Sequence, residues 1–395
     1  MSIPIADHVR GIPKSGIRDF FEIVQSMTDV ISLGIGEPDF VTPWHIREAA
    51  IYSLEKGRTG YTSNLGLPRL RRAIADTVQK ATGVRYDPNS EVLVSVGVSE
   101  AIDIALRAIL NPGDEVLYHE PCYVSYNPSV ALAFGVARAI PTSAADEFAL
   151  RAEALEAAIG PRTKAVMLNF PTNPTGATMD RQQIEAIADV CLRHNLTVLT
   201  DEIYSELTHD GREHFSIVSV PGMKERTIYL HGLSKAYAMT GFRIGYACGP
   251  NAVIEAMMKI HQYSILCAPI MSQDAAVEAL ERGEPAMLRM RREYELRRNY
   301  VVSSLNEMGL ECFMPRGAFY VFPKITSTGL SSQEFSMNLL REKRVAVVPG
   351  TAFGASGEGH VRCSYATGLD QIKIAMERIG EFCREARSGR ARTAA

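Results

Sequence analysis

The sequence predicts an α/β protein: a mostly parallel sheet covered by helices on both faces in a large domain, followed by a smaller α+β domain. Two patterns carry this expectation. From residue 91 onward, short apolar runs alternate with amphipathic helical stretches. Near residue 286 the alternation stops, and a long charged helical stretch precedes short apolar runs. Composition agrees: 395 residues, 46% hydrophobic and 22% charged, is an ordinary globular mix. The length suffices for a sizeable core and two or three domains.

Residues 1–45 lack the alternation and are assigned as an N-terminal segment packing with the small domain. Residues 46–285 form the large domain and 286–395 the small one. "EVLVSV" (91–96) reads as a short buried strand. "SEAIDIALRAIL" (99–110) then sets Ala101, Ile102, Ala105, Leu106 and Ile109 on one helical face. The turn signal "NPGD" leads into a strand, "DEVLYHE" (114–120). "ALRAEALEAAIG" (149–160) is a helix stopped by Gly160 and Pro161. "KAVMLNF" (164–170), "LTVLTDEIY" (196–204), "RTIYLHGL" (226–233) and "IGYACGP" (244–250) are further strands, and "RQQIEAIADVCLRHN" (181–195) is a helix. In the small domain, a helix over 286–308 precedes short strands in "GAFYVFP" (317–323) and "VAVVPG" (345–350).

Composition also narrows the function classes. A formal net charge of -3 and a pI near 6.3 give no bulk attraction for nucleic acid or anionic lipid. No run of 18 apolar residues suggests a membrane span, and the charged N-terminus lacks the apolar core of a secretory signal. Seven cysteines without a CxxC pair suggest a reducing, cytoplasmic setting. His119 and Cys122 lie close, but no second ligand pair follows, so no metal is expected. The basic C-terminal "REARSGRARTAA" reads as a frayed tail.

In open parallel sheets, sites form beyond the carboxyl ends of strands. Here each such end carries something chemical. The first strand runs into Gly97, Val98 and Ser99 at a helix start, which can offer backbone N–H groups and a hydroxyl to an anion. Tyr123, Asn169 with Asn173, and Asp201 with Tyr204 follow the next three. The fifth ends at Ser234 and Lys235, with Arg243 eight positions beyond the lysine. Taken alone, Lys235 fits a snorkelling strand-end lysine or a nucleophile beside an anion site. Together, Ser234 and Arg243 can hold a phosphate, Asp201 can pair with a protonated ring nitrogen, and Lys235 can condense with an aldehyde. Phosphate, ring nitrogen and aldehyde describe pyridoxal phosphate (PLP).

The ordered blocks "SLGIGEPDF", "YTSNLGLPRLR", "EPCYVSY", "NFPTNPTG", "TDEIYSEL", "SKAYAMTGFRIGY" and "VRCSYA" resemble those of class I/II, fold type I PLP-dependent aminotransferases, from residue 32 to 366. The resemblance implies a mostly parallel PLP-binding domain and a ping-pong PLP/PMP exchange between an L-amino acid and a 2-oxo acid. It implies Lys235 as Schiff-base and proton-transfer residue, Asp201 as partner of the ring nitrogen, and Asn173 and Tyr204 as partners of the ring 3-oxygen. It implies Tyr123 stacked on the ring and Val98, Ser99, Ser234 and Arg243 as the phosphate cup. It implies Arg362 as the clamp for the substrate carboxylate, Gly36 as its backbone donor, and Asn169 near the clamp and the cofactor. It implies Tyr61 reaching the phosphate of a neighbouring subunit in a homodimer.

Two departures stand out. His231 and Gly232 occupy positions where the family often has Asn or Ser. No basic residue is evident for a side-chain carboxylate, so dicarboxylate specificity has no support. A PLP-dependent carbon–sulfur β-lyase would share fold and lysine, but Tyr204 follows "DEI" where those relatives usually carry His. A non-enzymatic PLP-binding regulator would need an added DNA-binding domain, for which residues 1–30 are too short. A nicotinamide-binding protein would show GxGxxG after the first strand, which is absent.

Overall fold

The computed structural model describes residues 3–12 and 27–393, so residues 13–26 of the expected N-terminal segment lie outside the described residues. Twelve strands form three sheets. β1 (Ile31–Ser32) pairs in parallel with β10 (Val345–Ala346), joining residues near the N-terminus to the C-terminal part of the chain. β9 (Tyr320–Val321), β12 (Val361–Ser364) and β11 (Val348–Pro349) form an antiparallel trio with β12 in the centre.

The large sheet has seven strands: β2 (Val92–Ser95), β8 (Gly245–Cys248), β7 (Thr227–Gly232), β6 (Thr197–Asp201), β5 (Thr163–Leu168), β3 (Glu115–Glu120) and β4 (Val136–Pro141), in that spatial order. β7, β6, β5, β3 and β4 run parallel; β8 is antiparallel to both its neighbours. Side chains alternate between faces as the pleat requires. On β5, Val166 and Leu168 join one core cluster, whereas Ala165 and Met167 join another on the opposite face. Both faces are therefore buried under helices, which explains why these strands read as continuous apolar runs.

The expected large-sheet strands are all present, and the structure adds β4 at the edge. Its sequence, Val-Ala-Arg-Ala-Ile-Pro, buries only Ile140, so it lacks the apolar run that marks the central strands. The helix expected over 99–110 starts earlier and spans Gly97–Ile109; Ile109 is only partly buried but packs against the same cluster as Ala101, Ile102, Ala105 and Leu106, which Ile104 also joins. The run "VAVVPG" is divided between two sheets, as β10 and β11. The long charged helix spans Glu284–Glu307.

Close backbone packing aligns the site end of the large sheet. Gly232 on β7 faces Gly245 on β8, and the first turn of the 97–109 helix lies against them. A Cβ on Gly245 would stand 2.7 Å from Val98 N and from the Gly97 carbonyl carbon, both backbone atoms. Neither can yield without moving the strand or the helix. Gly245→Ala is accordingly expected to destabilise the fold by about 1–3 kcal/mol, read as a lower urea midpoint with an unchanged slope.

Candidate active site

A cavity of about 440 Å³ opens where the parallel strands end. Of the site residues expected from the resemblance, all but Tyr61 line it: Gly36, Val98, Ser99, Tyr123, Asn169, Asn173, Asp201, Tyr204, Ser234, Lys235, Arg243 and Arg362. Tyr61 is 85% exposed and lies outside the lining. The parallel register does most of this work. β3, β5, β6 and β7 deliver their carboxyl ends to one side, and β8 starts there because it runs the other way. The eight-residue interval from Lys235 to Arg243 is thereby explained: both sit in the connection between the end of β7 and the start of β8. Arg243 adopts a left-handed backbone with φ 50°, an uncommon state for a residue with a side chain.

Lys235 donates its Nζ to the Gly36 carbonyl at 2.7 Å. Burial pushes its pKa down to about 8; the neighbouring Arg362 and Arg243 act in the same direction, and Glu37 opposes them. Asp201 ends β6 with its carboxyl buried. Tyr126 Oη donates to Asp201 Oδ2 at 2.8 Å, and the Ile203 N–H donates to Oδ1 at 3.3 Å. Desolvation pushes the Asp201 carboxyl up to about 6, beyond what those two hydrogen bonds offset. Asn169 Nδ2 donates to the Asp201 carbonyl at 2.8 Å while its Oδ1 accepts the Asn173 N–H at 3.1 Å. This fixes the two asparagines relative to the aspartate.

Arg362, on β12, is buried. Its Nη1 donates to Asn173 Oδ1 at 2.9 Å and its Nη2 to the Gly34 carbonyl. Its Nε has no hydrogen-bond partner, and no carboxylate among the described residues forms an ion pair with it. The guanidinium is sandwiched between the rings of Tyr320 and Phe353, 4.7 and 4.8 Å from their centroids. Desolvation lowers its pKa. Tyr320 Oη also meets Tyr204 Oη at 2.9 Å, and a Cβ on Gly36 would stand 2.6 Å from it. Glycine at 36 thus lets the backbone approach the arginine.

The sequence reading missed Tyr126, Tyr320 and Phe353. Tyr126 lies inside the quoted block "EPCYVSY", three positions from Tyr123 whose ring it meets edge-on, and that spacing was the available signal. Tyr320 lies in the short apolar run 317–323 and Phe353 in a Gly-rich stretch beyond the run 345–350, and nothing local marks either. His231 does not line the cavity; its ring is stacked on Tyr246 and Tyr229, and Nε2 meets Ser205 Oγ and Glu206 Oε2 at 2.9 and 3.1 Å. Among the described residues no group of three or more His, Cys, Asp or Glu side chains could hold a metal, and no helix is long and apolar enough to cross a membrane.

Comparison with known proteins places this cavity in context. The family profile described as "Aminotransferase class I and II" matches residues 28–379. An aspartate aminotransferase from Pyrococcus abyssi is 46% identical, covering 96% of this chain and 98% of that protein. Aromatic-amino-acid aminotransferase 2 of Thermococcus litoralis is 44% identical over the same shares of the two chains, 96% and 98%. The crystal structure of an aromatic aminotransferase from Pyrococcus horikoshii superposes with a TM-score of 0.89 at 46% identity, covering 93% of this chain and 99% of that one. Sequence, fold and cavity agree: the chain belongs to the class I and II aminotransferases, PLP-dependent enzymes that transfer an amino group between an amino acid and a 2-oxo acid.

Proposed function

We propose that this cavity is the aminotransferase active site, with Lys235, Asp201 and Tyr204 as its catalytic residues and Arg362 as the seat of the substrate carboxylate. The observation that carries this reading is the buried Arg362 guanidinium, whose Nε lacks a partner and which has no counter-anion among the described residues. A buried charge left unpaired costs several kcal/mol, of order 3–5. An amino or 2-oxo acid carboxylate supplies the missing anion in both half-reactions.

The residues present fit PLP. Asp201 is a buried carboxyl aimed into the cavity with no cationic hydrogen-bond partner, which suits a protonated ring nitrogen. The start of the 97–109 helix, Ser99, Ser234 and Arg243 together offer N–H, O–H and guanidinium donors, which suit a phosphate. When bound, PLP supplies a ring that stabilises negative charge at the substrate Cα. In the reading argued here, Val98, Ser99, Ser234 and Arg243 hold its phosphate, Tyr123 its face, and Asn173 and Tyr204 its 3-oxygen.

The chain's own groups then divide the work. Arg362, with Asn173, Asn169 and the backbone of Gly36, fixes the carboxylate and so orients the Cα–H bond. Lys235 takes the Cα proton and returns one later, as general base and then general acid. Its lowered pKa leaves a useful fraction unprotonated near neutral pH. Asp201, when ionised, holds a proton at the ring nitrogen. The amino group leaves the first substrate as its 2-oxo acid departs, and the second oxo acid takes it up, which gives ping-pong kinetics. Among the described residues, Lys235, Arg243 and Arg362 are the basic side chains of the lining, and each has a task.

A homodimer with shared sites is part of the same reading. Tyr61 and Tyr263 are 85% and 88% exposed, and Asn64 Nδ2 bonds the Leu266 carbonyl, so their segments adjoin. Large exposed aromatics in one region favour an interface. We assign residues 46–285 as the large domain and 286–395 as the small one, with the N-terminal segment 1–45 packing on the latter; the pairing of β1 with β10 supports this. All seven cysteines are free, which suits a cytoplasmic enzyme.

Lys235 gives a direct pH test. In cofactor-free protein an amine-acylating reagent should modify it half-maximally near pH 8, not near 10.5 as for an unperturbed lysine. The sign for stability follows: between about pH 8 and 10.5 the unfolded chain binds more protons at this site, so its contribution to stability rises with pH. A midpoint above 10, read by peptide mass mapping, would contradict the buried amine.

Asp201→Asn should still bind PLP, measured by equilibrium dialysis, but lose about 10²–10³ in kcat, because an amide cannot balance the ring charge. Near-normal turnover would remove the ring-nitrogen role.

Tyr61 is tested with hybrids. Lys235→Ala and Tyr61→Ala subunits, each impaired alone, are refolded together. Action across a two-fold interface leaves one intact site per hybrid, and activity returns. Hybrids detected by native mass spectrometry without recovery would place Tyr61 in its own subunit's site.

A further inference from the structure

Glu120 ends β3 with its side chain buried, yet it lies outside the cavity lining and has no cationic partner among the described residues. Its Oε1 accepts two hydrogen bonds from one distant residue: the Ser356 N–H at 3.0 Å and the Ser356 Oγ–H at 2.6 Å. The 2.6 Å hydroxyl bond suits a charge-assisted bond to a carboxylate, and the 3.0 Å amide bond is of ordinary length. The approach is so close that a side chain at 354 would displace the Glu120 carboxylate. A Cβ there would stand 2.0 Å from the Glu120 carboxyl carbon, and its φ of +119° is strained for any residue but glycine. A third bond, from the Cys122 N–H to the Phe353 carbonyl at 3.2 Å, pins the same segment two residues further along the chain.

The segment so held, residues 350–357, carries Phe353, whose ring lies 4.8 Å from the Arg362 guanidinium. Arg362 is thereby sandwiched from two directions: by Tyr320 from β9, beside it in the same sheet, and by Phe353 from a segment tied to the large sheet. We propose that Glu120 is a positioning residue for the substrate-carboxylate site: by clamping Ser356 it keeps Phe353 stacked on Arg362 and so fixes the plane in which the guanidinium presents its free N–H edge. A planar fork binds a carboxylate well only at a set orientation, so loosening this wall weakens substrate binding while leaving the phosphate cup untouched. The proposal rests on the reading of Arg362 as the carboxylate site.

The test uses PLP-loaded protein with 2-oxoglutarate as acceptor, and cofactor-free protein for PLP affinity. Glu120→Ala should raise KM for 2-oxoglutarate about tenfold, the effect of losing most of one charge-assisted hydrogen bond, with kcat changed less. PLP affinity, by equilibrium dialysis, should stay within about twofold, because no part of the clamp reaches the Ser99–Arg243 end. Glu120→Gln retains an Oε1 acceptor and should recover much of the KM. Phe353→Leu should raise KM similarly, and adding Glu120→Ala to it should cost little more. An unchanged KM in Glu120→Ala, an additive double variant, or a parallel loss of PLP affinity would each overturn the proposal. Should Glu120→Ala fail to fold, Ser356→Ala carries the same test with an expected rise of about threefold. Arg362→Lys, run alongside, separates the two levels. If it leaves KM unchanged, the carboxylate reading fails; if it raises KM while Glu120→Ala does not, only the Glu120 proposal fails.

Discussion

Three glycines let the first turn of the 97–109 helix rest directly on the β7–β8 pair. A Cβ on Gly232 would meet Val98 Cγ2 at 2.9 Å, one on Gly245 would meet the Gly97–Val98 backbone at 2.7 Å, and one on Gly97 would meet Arg243 Nη2 at 2.8 Å. These contacts bring two remote pieces of chain together: the helix start bearing Ser99 and the β7–β8 connection bearing Ser234, Lys235 and Arg243. A side chain at Gly232 or Gly245 would push the helix start away from the strand pair, and one at Gly97 would crowd the Arg243 guanidinium from a strained φ of +75°. The groups that suit a phosphate would then part, and the lysine would shift relative to the rest of the cavity. The site depends on backbone proximity that only glycine permits.

The cavity gathers charge that folding alone would not choose. Lys235, Asp201 and Arg362 are each shifted toward the neutral form by burial. In a structural core such groups are paired off, as Arg298 is with Asp210 at 2.6 Å. Here the pairing is incomplete, and the perturbed groups converge on one cavity. That combination is the physical mark of a site built for a ligand rather than for stability.

Much of this was legible in the sequence because parallel sheets impose two rules. Strands buried on both faces read as apolar runs, and their carboxyl ends collect the chemistry. The first rule found β2, β3, β5, β6, β7 and β8, and the second found the residues beyond the first five of these. β4 escaped because an edge strand need not be apolar. The two-residue β1 escaped because its pairing with β10 is set by contacts more than 300 positions apart. Tyr126 and Tyr320 escaped for another reason: their hydroxyls act on Asp201 and Tyr204 through tertiary contacts, while their rings pack like any core aromatic. Glu120 read as the last residue of a strand, and only its contact with Ser356 distinguishes it.

The two anion positions suggested by the cavity belong to different sheets, and this has a consequence for how substrate and cofactor binding respond to motion. Ser99, at the start of the 97–109 helix, and Ser234 and Arg243, in the β7–β8 connection, all sit against the β7–β8 edge of the seven-stranded sheet, so their mutual arrangement is set by that sheet. Arg362 stands on β12, in the three-stranded sheet, and is held to the large sheet's side by Asn173 and by the segment bearing Phe353. A small displacement of one sheet relative to the other changes the distance between Arg362 and Lys235 but not the geometry among the phosphate-side donors. Substrate affinity is therefore the quantity exposed to such a displacement, and the bonds that cross between the sheets, Arg362 to Asn173 and Ser356 to Glu120, limit it. In the proposed reading, a substrate carboxylate would complete the Arg362 shell, add to those crossing contacts and stabilise the arrangement in which Lys235 faces its Cα.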